Sequence, residues 1–172
     1  ETGMTGANAL EPGVLKGDIL INMDSETEGE LYVGCAGGID TCGYFTPKFE
    51  DVPAGSKAFQ LIVKGLKGGH SGMDIILGRA NANKVMNALL LKATEKYNAR
   101  VADIQGGSLR NAIPRESFVT ITVPEAKAEE LLAYVPEFEA VVKEQFAAVE
   151  PEMSITVVPA EMPAKKEIVI WF

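Results

Sequence analysis

An α+β fold is what this sequence predicts, and three observations carry that prediction. Two runs, KAFQLIVKGL (57–66) and ESFVTITVP (116–124), alternate side chains with the two-residue period of a strand. Two longer stretches, 81–98 and roughly 126–149, repeat apolar residues at helical spacing. From 57 to 158 the order reads β-α-β-β-α-β. That is the ferredoxin-like arrangement, an antiparallel sheet with two helices on one face.

The elements follow in order. Met4 to Leu10 reads as a short helix stopped by Glu11-Pro12-Gly13. In GDILINMDSE the apolar run Ile19, Leu20 and Ile21 fits a strand buried on both faces of a parallel sheet. The loop at its C-terminal end carries Asp24, at the sheet end where α/β proteins bind ligands. Residues 1–36 are therefore expected to be a piece of an α/β catalytic domain, and residues 37–172 a second, incomplete domain. GELYVGCAGG reads as a strand, and so does TCGYFTPKFEDV, where Pro47 implies an edge or a bulge. Phe59, Leu61 and Val63 share one face of the next strand. The first long helix shows Val85, Met86, Leu89 and Leu90 on one side. ARVADIQGG is a strand, and Val119, Ile121 and Val123 form the core face of the following one. The second long helix carries Leu131, Val135, Phe138, Val142, Phe146 and Val149 on its stripe, with Pro136 expected to kink or restart it. MSITVV closes the unit.

Totals bound the function. With 172 residues, 47% of them apolar, the chain can bury a real core. A net charge of −8 repels nucleic acid and anionic membranes. No apolar stretch is long enough to span a bilayer, and ETGMTGANAL has no signal-peptide character. Cys35 and Cys42 miss the CxxC spacing and read as two separate thiols, compatible with a cytoplasmic setting. The start at Glu1 and the apolar end EIVIWF lead us to expect a longer parent chain.

Three features carry chemistry. His70, the one histidine, sits in GLKGGHSGMD among four glycines. It is either a satisfied loop histidine or an imidazole offered to a ligand, where it can donate to a developing oxyanion. One histidine supplies one metal ligand, so no zinc site is built there alone. Glu1 and Asp24 are ordinary carboxylates individually, but together they are the type that hard-metal and zinc hydrolase sites use. GGSLRNAIPRE (106–116) is either a plain hairpin turn or a loop in which Asn111 contacts substrate and Arg110 or Arg115 binds a carboxylate.

Four stretches, ETGMTGA, NMDSE with the following GCAGG, GLKGGHSGMDI with GRANAN, and GGSLRNAIPRE, together resemble the M20 metallopeptidase family. The resemblance is to its aminoacyl-histidine dipeptidase branch (Xaa-His dipeptidases, peptidase D) and runs from Glu1 to about Val158. It implies that Glu1 and Asp24 are zinc ligands, that His70 is the lid histidine stabilising the oxyanion, and that Asn111 contacts substrate. It implies two zinc ions in the full-length parent and none held by this segment alone, a dipeptide substrate, and a homodimer formed through the lid. The family's HxD motif, its general-base Glu, its bridging Asp and its C-terminal zinc histidine have no counterpart here. The chain is therefore expected to be the central part of a larger enzyme and inactive alone. Two other readings remain open, a dimerisation module without chemistry and an M20 tripeptidase or N-acyl amino acid amidohydrolase.

Overall fold

A computed structural model describes residues 5–21, 23, 27–34, 39, 44, 46, 48–163 and 167–169. The chain divides into two compact units, 1–43 and 44–172.

In the first unit the expected helix is a single turn, α1 (Thr5–Asn8). The strand expected at 19–21 does not form, and Ile19, Leu20 and Ile21 are 79–87% exposed. Nor does one form over residues 29–34, where Leu31 and Val33 are exposed. Apolar runs become strands only against a hydrogen-bonding neighbour, and the described residues of this unit offer none. Cys35 and Cys42 lie outside the described residues.

The second unit holds β1 (Lys48–Glu50), β2 (Ser56–Lys64), β3 (Gly69–His70), α2 (Ala82–Tyr97), β4 (Arg100–Gly106), β5 (Ala112–Ile113), β6 (Ser117–Pro124), α3 (Glu125–Phe146), β7 (Ser154–Pro159) and β8 (Glu167–Val169). The main sheet runs β1-β8-β4-β6-β2-β7, and every pairing is antiparallel. The four strands β4-β6-β2-β7 are the ferredoxin-like order expected from the pattern, with β8 and then β1 added beyond β4. β1 is at the edge of the sheet, paired with β8, while Pro47 lies outside the described residues.

Alternation along β2 and β6 decides which face is covered. Leu61, Val63, Val119, Ile121 and Val123 are fully buried and meet Leu89 of α2 and Leu131 of α3 in one cluster. Each such side chain contributes about 1.5–3 kcal/mol. Both helices therefore lie on one sheet face.

α2 is bounded by its own sequence. The Asn81 side chain accepts the Lys84 N–H, and Asn98 ends the helix in the left-handed region at φ 52°. α3 runs through Pro136 as one helix, so the proline does not restart it. Pro136 is exposed and Leu132 is 38% exposed, so the carbonyl that loses its usual i+4 donor lies on the outer, solvated side. Among the described residues no helix is long and apolar enough to cross a membrane.

Candidate functional site

The site is the loop between β2 and α2. Its first half, β3, pairs antiparallel with β5, which lies in the connection between β4 and β6. Gly69 faces Ile113 and His70 faces Ala112. The Ser71 N–H then donates to the Asn111 carbonyl at 2.9 Å. Two segments far apart in sequence are thus zipped together, and His70 and Asn111 come to neighbouring positions. Both residues are exposed.

The His70 ring is oriented by its own loop. Nδ1 accepts the Gly72 N–H at 3.0 Å and the Met73 N–H at 3.3 Å. Accepting an N–H requires the lone pair, so the neutral ring carries its proton on Nε2. Nε2–H has no protein partner among the described residues and is a donor available to a ligand.

The backbone of His70 is braced as well. Its N–H donates to Asp74 Oδ2 at 2.7 Å, and its carbonyl accepts the Asp74 N–H at 3.1 Å. Arg79 Nη1 lies 3.7 Å from Asp74 Oδ2 and donates to the Gly68 carbonyl at 2.5 Å. Only a glycine fits inside this brace. Gly69 has φ 146°, and a Cβ there would stand 2.6 Å from both Asp74 Oδ2 and Arg79 Nη1. Asp74 and Arg79 were not singled out by sequence reasoning. The signal available was the carboxylate four residues after the histidine, the spacing of one closed turn.

Beside this small sheet lies a cavity of 560 Å³, walled in part by Lys67, Gly69, Ala112, Ile113 and Arg115. Lys67 and Arg115 share this wall with the carboxylate of Glu116, so it carries charges of both signs. It has room for a ligand of a few residues.

Glu1 and Asp24, the expected metal ligands, lie outside the described residues. Among those described, no group of three or more His, Cys, Asp or Glu side chains comes together to hold a metal. His70 has one ring nitrogen committed to amides and the other protonated. The described residues thus form a hydrogen-bond donor site and do not fit a metal centre.

Comparison with known proteins bears on the family and the fold. Residues 61–150, just over half of the chain, match the M20 peptidase dimerisation domain. The cytosol non-specific dipeptidase of Escherichia coli (strain K12) is 46% identical over 155 residues, covering 90% of this chain and 32% of that protein. The crystal structure of aminoacylhistidine dipeptidase from Vibrio alginolyticus superposes with a TM-score of 0.77 at 41% identity, over 98% of this chain and 34% of that one. The chain spans about a third of the length of both relatives. With its matched sequence and its fold in agreement, the chain belongs to the M20 peptidase family and carries that family's dimerisation domain.

Proposed function

We propose that this chain is the lid-bearing central segment of a zinc-dependent dipeptidase that hydrolyses Xaa-His dipeptides. In this reading residues 1–36 belong to the catalytic domain and residues 37–172 to an incomplete lid. His70 donates its Nε2 proton to the oxyanion that forms when the scissile carbonyl is attacked. The observation that carries the reading is the pair of amide donors on Nδ1, which fix the tautomer in which Nε2 is the donor. A preorganised donor of this kind stabilises the transition state by about 3 kcal/mol. Asn111, in the turn just before β5, contacts the bound dipeptide, and Lys67 or Arg115 takes a carboxylate in the adjoining cavity.

Zinc belongs to this proposal through Glu1 and Asp24. When bound, the two ions would polarise the carbonyl and activate water. The named relatives are a cytosol dipeptidase and an aminoacylhistidine dipeptidase, which supports a cytoplasmic peptidase with a dipeptide as its partner. The matched dimerisation domain supports a homodimer formed through the lid. The net charge of −8 speaks against nucleic acid and anionic membranes as partners. The segment alone is expected to be inactive.

The test is a substrate panel with the full-length protein, its oligomeric state followed by sedimentation. We expect hydrolysis of β-alanyl-histidine by a dimer, faster than cleavage of tripeptides or acetylated amino acids. Preference for either of those would move the reading to a tripeptidase or an amidohydrolase. Dimerisation without hydrolysis of any of them would leave an assembly module.

A further inference from the structure

Glu150 is a buried carboxylate that the mechanism above does not use. It sits in the turn between α3 and β7 and is 2% exposed. Its backbone is fixed there: its N–H donates to the Phe146 carbonyl at 2.8 Å, and its carbonyl accepts the Met153 N–H at 3.2 Å. No lysine or arginine among the described residues pairs with its side chain. Burying such a charge costs several kcal/mol unless hydrogen bonds offset it. Two do. Oε2 accepts the Lys67 N–H at 2.8 Å, and Oε1 accepts the Ala80 N–H at 3.0 Å.

Those two amides are the two feet of the loop that presents His70. Lys67 comes just before Gly68-Gly69-His70, and Ala80 just after Arg79. One side chain therefore closes the loop at its base. The feet are buried at Leu66 and Ala80, whereas the crown from Met73 to Leu77 exposes three of its apolar side chains by 60% or more. With so little apolar contact at the crown, the ring's position rests on the base, the Asp74–Arg79 brace and the pairing of β3 with β5. Gly65 makes the approach possible. It has φ 80°, and a Cβ there would lie 2.1 Å from the Glu152 carbonyl oxygen, against the same turn.

We infer that Glu150 is a positioning residue that holds His70 at its catalytic position by clasping both ends of the 67–80 loop. Both of its oxygens accept amides and are buried, so it touches no substrate and acts through the loop that carries His70. The inference rests on the oxyanion reading of His70.

The test is a double-mutant cycle on the full-length enzyme with β-alanyl-histidine as substrate. The proteins are wild type, E150Q, H70A and the double variant, each corrected for its folded fraction from a thermal melt. In E150Q one oxygen becomes an amide nitrogen facing an N–H, which opens one foot of the clasp. We expect kcat to fall on the order of 10- to 100-fold, the size that a small misplacement of a catalytic group produces, with KM nearly unchanged. In the H70A background the same substitution should add almost nothing, because the group it positions is gone. E150D, which keeps the charge but withdraws it by one methylene, carries the same cycle if E150Q folds poorly. Wild-type kcat in the Glu150 variants while H70A is crippled overturns this inference and leaves the reading of His70 standing. So does a loss that multiplies undiminished onto H70A, or one found only in KM or in the folded fraction. Full activity in H70A removes the reading itself and this inference with it.

Discussion

His70 differs from an ordinary loop histidine in how completely its neighbours define it. Two amides choose its tautomer, Asp74 holds its N–H, and pairing with Ala112 sets its strand. The glycines around it left two readings open in the sequence, a satisfied loop histidine or a presented imidazole. The sequence did not announce the brace, because the partners of Nδ1 are backbone amides, which any residue supplies. Gly69 is where this can be probed without touching the ring. G69A forces a Cβ to within 2.6 Å of Asp74 Oδ2 and Arg79 Nη1, and it also strains the backbone at φ 146°. We expect a stability loss of about 1–3 kcal/mol in denaturant titration, together with a clear drop in kcat. Full activity with unchanged stability would mean that the brace is dispensable.

α3 joins the sheet through a polar contact as well as through its apolar stripe. Glu139 Oε1 accepts the Ile155 N–H of β7 at 3.0 Å and lies 2.9 Å from Lys143 Nζ. Partial burial pushes this carboxyl up, but the amide and the ammonium outweigh it and hold the group below the usual carboxylate range. The unfolded chain then binds the proton more tightly than the native one. The contact stabilises the fold above the ordinary carboxylate value, and the gain is lost as pH falls through the depressed native value. Wild type should exceed E139Q in urea midpoint at neutral pH, and the two should converge in acid. A gap that stays constant with pH would contradict this. The elements themselves were readable where periodicity was long. The alternation of Phe59, Leu61 and Val63 and the asparagine-bounded helix 82–97 both matched. The run Ile19–Ile21 misled because three apolar residues state a preference for burial without supplying a neighbouring strand. Pro136 does not restart α3, because the cost of a helix proline depends on whether the freed carbonyl meets solvent, which sequence alone leaves open.

At the scale of the molecule, a ferredoxin-like sheet with both helices on one face supports two loops that converge on one site. The β-α-β-β-α-β order was visible in the sequence. The pair β1–β8 was not, because three-residue strands from opposite ends of the unit carry no periodic signal, and they join the sheet through the pairing of β8 with β4. Glu150 escaped notice for a similar reason, since the amides it binds lie 70 and 83 residues away in sequence. Within this chain the account converges on one proton, the one on His70 Nε2. Steady-state hydrolysis of β-alanyl-histidine by full-length H70A, with zinc content assayed on the same preparation, tests it most directly. We predict that kcat falls on the order of 100- to 1,000-fold while metal content stays at the wild-type level. Wild-type turnover, or loss of zinc along with activity, would contradict the account.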